Sequence, residues 1–304
     1  MTRRERLPSS ANIIIPVYND PDGIRQTLNS ITKHTPELVQ VNVFVVDNGS
    51  TDKTRDITRE YVEAYDSVNL LIEDDIQGSY AARNTGIRNS DNDVIIFLDA
   101  DETVSTDFVE KALAAMDSRD MDYLGCNVEI RNLDKGIIGK YSQANGFPMK
   151  KYLTREHYAP TCALLVRREV FEDLSLFDAR LISGGDREFG ERVHEAGYDQ
   201  GYAEDVVVYH PARTRFRPLA KKNFRVGRGF CQKQWYYPER YGNPGIPPRP
   251  SGLSGDDESN HTLSLTTRLA FAFLSFAMLA CRGLGYYYEF FFGEGRDDIP
   301  SPKS

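Results

Sequence analysis

Val94-Ile95-Ile96-Phe97-Leu98-Asp99-Ala100-Asp101 is the stretch on which the reading of this chain turns. Five consecutive apolar residues describe a buried strand, and two carboxylates follow at its carboxyl end, two positions apart. Open α/β sheets receive ligands at that edge. An Asp-x-Asp there can supply oxygen ligands to a hard divalent cation, and such a cation can hold a diphosphate. A plainer reading stands beside it. Asp caps helices and favours turns, and the polar run Glu102 to Asp107 suits a loop. Spacing alone leaves both open.

Upstream, Gly78 to Gly86 starts a helix that carries Arg83 in its first turns, and Val68 to Ile72 forms the strand before it. Val41 to Val46 is a strand that stops at Asp47-Asn48-Gly49-Ser50-Thr51-Asp52, with a polar helix following to about Tyr65. The first strand starts at Ala11 and is ended by Pro16 and a polar turn. A helix over Asp22 to Lys33 comes next, with Ile24, Leu28 and Ile31 at helical spacing and Asp20 or Asp22 as its cap. Strand and helix alternating in this way predict a parallel sheet covered on both faces, with right-handed crossovers.

Downstream, Phe108 to Met116 reads as a helix. Tyr123 to Arg131 and Gly136 to Tyr141 read as a strand pair around Asn132-Leu133-Asp134-Lys135, and Ser142 to Pro160 as irregular chain. Cys162 to Arg167 is strand-like, and Phe171 to Phe177 is amphipathic. Gly184-Gly185-Asp186-Arg187-Glu188 opens a helix to Ala196 that Gly197 closes, and Asp186 suits its N-cap. Ala203 to Tyr209 is the last strand, ending at His210-Pro211.

The 304 residues are 40% hydrophobic, enough to bury the core of one large α/β domain with an appended segment. A net charge of -8 argues against a nucleic-acid partner. Cys126, Cys162, Cys231 and Cys281 are too scattered to chelate zinc or to staple a small fold. Met1 to Ser10 has no apolar run of a secretory signal, so a cytoplasmic catalytic domain is expected.

Arg213 to Lys233 holds eight basic residues and no acidic one, interleaved with Phe216, Phe224 and Phe230. Pro238 to Asp257 reads as a Pro- and Gly-rich linker. Leu263 to Phe292 is then apolar. Its uncharged run, Leu269 to Cys281, falls short of the roughly 20 residues that span a bilayer. Arg268 and Arg282 flank it, and the aromatic runs Tyr286-Tyr287-Tyr288 and Phe290-Phe291-Phe292 follow. Snorkelling cations and aromatic belts mark a membrane interface, so a helix in the surface of the cell membrane is expected, with packing on the core or on a second copy as the alternatives.

Asp47, Asp99 and Asp101 all fall at strand ends and so converge on one sheet edge; three helix caps would explain them without chemistry. No Gly-x-Gly-x-x-Gly follows the first strand, and no Gly-Lys-Ser or Gly-Lys-Thr is present, which sets aside dinucleotide and P-loop sites. A nucleotidyltransferase would need phosphate-gripping cations where Tyr18-Asn19-Asp20 stands. A catalytically silent binding or scaffold protein is the other rival.

Four stretches together resemble the family 2 inverting glycosyltransferases of the GT-A fold: Ile13 to Asn19, Val45 to Asp52, Ala82 to Gly86, and Phe97 to Asp101. The resemblance runs from about Ala11 to Pro211. It implies a single Rossmann-like, mostly parallel α/β sheet domain with a C-terminal helical extension. It also implies transfer of a sugar from a nucleotide-sugar donor, a UDP-sugar first, to a saccharide, glycolipid or lipid-linked saccharide, with Mn2+ or Mg2+ as cofactor. By that resemblance Pro16, Tyr18, Asn19 and Asp47 hold the nucleotide and Arg83 lies in the donor loop. Asp99 serves ribose and metal, and Asp101 and His210 bind the metal. Taken by itself, His210 before a proline also suits a plain strand terminus. Asp186 aligns with the general base, although Gly185 stands where the family commonly has Glu. Gly227-Arg228-Gly229 resembles a loop that frames the acceptor. The implied organisation is a polar arm (1–10), a transferase domain (11–211), a basic and aromatic acceptor-side segment (212–237), a linker (238–261), an apolar membrane or oligomerising region (262–293) and a polar tail (294–304).

Overall fold

The computed structural model describes residues 10–33, 40–134, 136–248 and 264–302. The amino-terminal arm and most of the expected linker lie outside them. Four strands alternate with three helices: β1 (Ser10–Val17), α1 (Pro21–Thr32), β2 (Gln40–Asp47), α2 (Thr54–Ala64), β3 (Val68–Ile72), α3 (Ser79–Arg88) and β4 (Val94–Leu98). Then come β5 (Thr103–Val104), α4 (Phe108–Ser118), β6 (Tyr123–Arg131), α5 (Ile137–Ala144), α6 (Met149–Glu156), β7 (Ala163–Arg167), α7 (Arg168–Leu174), α8 (Gly185–Glu195) and β8 (Gln200–Pro211). The chain closes with α9 (Phe216–Tyr236), α10 (Pro238–Tyr241) and α11 (Leu265–Phe292).

All eight strands form one sheet, in the order β3-β2-β1-β4-β7-β6-β8-β5. The first four are parallel. Ile13, Ile14, Ile15, Ile95, Ile96 and Phe97 are completely buried, because helices cover both faces and the central strands have no side left for water. β1 runs through Pro16 to Val17; its pairing with β4 reaches only Ile14, so one flank is open where proline lacks an N–H. Asp20 caps α1, its Oδ1 accepting from Gly23 N–H at 2.9 Å.

Several expectations are corrected. Residues 137–144 are a helix, not the partner strand of β6, which pairs with β8 from Tyr123 to Arg131 and with β7 from Tyr123 to Gly125. The supposedly irregular stretch after it contains α6. Gly227-Arg228-Gly229 is no loop but lies inside the 21-residue α9. The 28-residue α11 extends well beyond its uncharged run. It packs parallel to α9: Arg282 bonds Asn223, Tyr286 bonds Gln234, and the buried Glu289 receives Arg228 and Gln232. Glycines allow that approach. A Cβ at Gly227 would stand 1.9 Å from the Arg282 carbonyl oxygen, and one at Gly285 would stand 2.0 Å from that of Phe224.

Residues 294–302 of the polar tail pack back onto the core. Arg296 donates from Nη2 to the Gln77 carbonyl and from its backbone N–H to Tyr236 Oη, both at 2.8 Å. Ile299 packs with Ile76, Ala81 and Ala179.

Candidate active site

Strand direction assembles the site. β7 is antiparallel to both β4 and β6, so β6 and β8 regain the direction of β4 and end at the same sheet edge. The short β5 pairs Thr103 with Tyr209. That pairing carries Asp101 to His210.

Asp101 Oδ1 stands 4.0 Å from His210 Nε2. His210 Nδ1 lies 2.8 Å from the Pro211 carbonyl, which can only accept, so Nδ1 carries a proton, and in the neutral ring Nε2 would present its lone pair to the carboxylate side. The gap is too wide for a hydrogen bond. Both groups could serve as ligands to one shared cation. A neutral imidazole oriented from behind by a carbonyl, beside an accessible carboxylate, is a donor set suited to Mn2+ or Mg2+, with manganese taking the nitrogen more readily.

Asp99 is held differently: buried Arg83 donates from Nη2 to its Oδ1 at 2.7 Å. Ligand atoms of Asp99, Glu102 and Cys162 also lie within 4.8 Å of one another. Burial pushes the Cys162 thiol and the Glu102 carboxyl upward, toward their protonated forms. Glu102 instead braces the loop, accepting the Asp99 N–H at 2.7 Å on Oε2. Thr27 Oγ1 lies 2.9 and 2.7 Å from the Ala100 and Glu102 carbonyls, tying the loop to α1. Sequence reasoning gave these two residues no role; the acidic residue directly after Asp-x-Asp was the available signal.

At the neighbouring strand ends, fully buried Asp47 accepts from Arg55 Nε at 2.6 Å and Ser50 N–H at 3.1 Å, both on Oδ2. Its Oδ1 is buried without a partner. Asn19, in the left-handed region at φ 50°, accepts the Thr51 N–H and donates its own N–H to Ser50 Oγ, which joins the first two βα loops. Tyr18 beside it is 54% exposed. Asn48 ties down the third loop, donating to the Glu73 and Ile76 carbonyls and accepting the Gly78 N–H.

Asp186 sits in the first turn of α8, not at its N-cap, which is Gly184 at φ 84°. It is held by Tyr80, a residue that sequence reasoning passed over. The Tyr80 hydroxyl accepts the Gly185 N–H at 2.9 Å and the Asp186 N–H at 3.3 Å, and donates to Asp186 Oδ1 at 3.3 Å. Burial, then the charge of Asp186, raises the Tyr80 phenol, so it stays a donor. Tyr80 also accounts for Gly185. A Cβ there would meet the tyrosine ring at 2.9–3.1 Å, which leaves no room for a longer side chain. Arg228 lies on α9, facing the loop that follows β3. It donates to Glu289 at 2.5 Å and lines a cavity of about 570 Å³ with Gln77, Tyr288, Phe292 and Arg296.

Residues 12–175 match the family model described as glycosyl transferase family 2. Glycosyltransferase AglE of Haloferax volcanii is 41% identical over 222 residues, 73% of each chain. The pre-mycofactocin glycosyltransferase of Mycobacterium tuberculosis is 26% identical over 224 residues, 71% of this chain and 46% of that one. Among solved structures, a mannosyltransferase from Pyrobaculum calidifontis in complex with GDP-Man and Mn2+ superposes with a TM-score of 0.63 at 18% identity, covering 94% of this chain and 88% of that one. Residues 1-349 of S. aureus TarS in complex with UDP-GlcNAc reach 0.56 at 14% identity, over 97% and 99%.

Proposed function

The chain belongs to the family 2 glycosyltransferases, and from that premise we propose a metal-assisted, inverting transfer of a sugar from a nucleotide-sugar donor to a hydroxyl of a saccharide or lipid-linked saccharide. The observation that carries this reading is the single sheet edge on which a nucleotide-side carboxylate, a cation-binding pair and a tethered base stand together. Asp47 Oδ1, a buried acceptor without a partner, suits the imide-type N–H of uracil or guanine. The similar structures hold GDP-Man in one case and UDP-GlcNAc in the other, so both donor classes belong in the assay.

Asp101 and His210 are the residues to hold the cation, which supplies neutralisation of the departing diphosphate. Arg83 fixes Asp99, and the braced loop holds Asp101 at the sheet edge. Asp186 takes the proton of the acceptor hydroxyl. Tyr80 occupies one of its oxygens together with the Arg187 N–H, and the other has no partner among the described residues. That leaves a free lone pair for the acceptor.

Among the described residues α11 is the one helix long and apolar enough to cross a membrane, and much of it is exposed, Phe273, Phe276 and Phe292 included. Exposed Arg215, Arg217 and Lys221 on neighbouring α9 suit the anionic cytoplasmic leaflet. The proposed placement is at that membrane surface, with residues 11–211 as the transferase unit and the helices beyond them as its acceptor side. Pairing of two copies through α11 is the competing use of the same face, which sedimentation in detergent distinguishes.

Donor hydrolysis and transfer should be measured across UDP- and GDP-sugars with Mn2+ or Mg2+, with and without lipid. One donor should turn over, and chelation should stop it. Asp186→Asn should lose about 10²–10⁴-fold in turnover while keeping metal-dependent nucleotide binding. Undiminished turnover in that variant would sink the base assignment.

A further inference from the structure

The turn that delivers Asp186 to the cleft is anchored from two sides. Tyr80 on α3 receives the Gly185 and Asp186 amides. The other anchor is α9 and the residue that follows it. Gln232 Oε1 accepts the Ile182 N–H at 2.9 Å, and Tyr237 Oη donates to Asp178 Oδ2 at 2.8 Å, where the segment begins. Helix and turn fit closely. A Cβ at Gly229 would stand 2.3 Å from the Ser183 carbonyl oxygen, and one at Gly184 would meet the Lys233 side chain at 3.1–3.3 Å.

Gln232 also reaches in the other direction. Its Nε2 donates to Glu289 Oε1 at 2.7 Å, and Arg228 Nε donates to Glu289 Oε2 at 2.5 Å. Gln232 is 1% exposed and Glu289 is 0% exposed, and Glu289 is the only acidic residue of α11. A carboxylate can only accept. Glu289 therefore fixes which way the Gln232 amide lies, nitrogen toward α11 and oxygen toward the Ile182 N–H. Burying a carboxylate in an apolar helix costs stability even when it is paired. Gly227 and Gly285 already bring the two helices to backbone distance, so adhesion of α11 to α9 leaves that charge unexplained.

Resting on the transferase reading, in which Asp186 is the base, we propose that Gln232 and Glu289 are positioning residues for it: a polar latch that runs from α11 through α9 to the Ile182 amide and holds the base-bearing turn at the sheet edge. Tyr80 orients the carboxylate, and the latch sets where its backbone stands. Asp186 follows two consecutive glycines, the first in the left-handed region, so an outside anchor has much freedom to restrain. Seating of α11 on α9 is thereby a condition for a competent base.

Hydrogen exchange of the full chain, read on the peptide from Ile182 to Arg187, tests the latch without any substrate. Turnover of the UDP- or GDP-sugar that the unaltered chain accepts, with Mn2+ and extracted membrane lipid, tests its effect on the base. Gln232→Leu should speed exchange in that peptide about tenfold and leave the loop from Asn48 to Asp52 unchanged. It should lower kcat about 10- to 100-fold, while the Kd for UDP or GDP with Mn2+ stays within about twofold. Gln232→Glu should do at least as much harm, since it sets two carboxylates side by side. Gln232→Glu combined with Glu289→Gln keeps one carboxylate and one amide in exchanged places. Every bond of the latch can then be remade, so exchange and kcat should return to within about threefold of the unaltered chain. Normal kcat or normal exchange in Gln232→Leu, or no recovery in the double exchange, overturns the proposal. So does a kcat loss matched by a loss of nucleotide affinity, which marks a general loosening of the fold. A failed transferase reading looks different: the unaltered chain then binds neither UDP nor GDP with Mn2+ and turns over no donor, whatever its exchange rates, and the positioning role falls with it.

Discussion

On the sheet side of the cleft the buried charges come in matched pairs, Asp47 with Arg55 at 2.6 Å and Asp99 with Arg83 at 2.7 Å. On the helical side Arg228 matches Glu289 at 2.5 Å, whereas buried Lys233 lies against the rings of Phe230 and Tyr241 with no carboxylate within 4.0 Å among the described residues. In the first wall the two arginines are neutralised before anything binds, while Asp47 Oδ1 and the Asp101–His210 pair are left for ligands. The second buries an ammonium without a carboxylate, which costs stability.

Breaking a pair on the sheet side should be the costlier change. Arg55→Ala leaves Asp47 charged and buried, and should lower unfolding free energy by roughly 3–4 kcal/mol in a urea titration. If the loss is under about 1 kcal/mol, solvent reaches Asp47 and the matched-pair account fails.

A buried cation on the helical side should show the opposite sign. Lys233 is depressed by burial to about 8, against 10.5 for an ordinary lysine. Above that range both states are neutral and nothing is lost; as pH falls through it, the unfolded chain takes up the proton first and the folded state pays. The stability gained by Lys233→Met should therefore grow by roughly 2–3 kcal/mol between pH 10 and pH 7. A flat difference would show that the ammonium has a partner or is wet.

The smallest change sharpens the boundary between the walls. Gly285→Ala puts a methyl group 2.0 Å from the Phe224 carbonyl oxygen, and should cost about 2 kcal/mol in a thermal melt as α11 is pushed off α9. Gly283→Ala, two residues away, has nothing within 4 Å and should be silent or slightly stabilising.

The same two regions differ in how much of them the residues disclose. β1 to β4 are legible within two residues because buried parallel strands are unbroken apolar runs, and their carboxyl-end aspartates follow from topology alone. Convergence of His210 on Asp101 depends on two reversals around β7, and it was the resemblance rather than spacing that pointed to it. The Tyr80 bond to Asp186 spans 106 residues, and no local pattern announces it. Ile137 to Tyr141 misled because a short apolar run does not choose between helix and strand until its neighbours are known. In α9 and α11 the composition disclosed basic and apolar character. It did not disclose the parallel pairing, which rests on glycines at backbone contact distance.

The clasp of Arg296 on Gln77 and of Ile299 on Ala81 ties the end of α11 to the loop that follows β3. Loop and helix consequently belong to one cooperative unit. An excursion that lifts α11 also unlatches the loop, so their slowest-exchanging amides should share one opening free energy. Whatever occupies the apolar face of the helix then damps fluctuation at the nucleotide end of the sheet, a linkage of motion that needs no change of average structure.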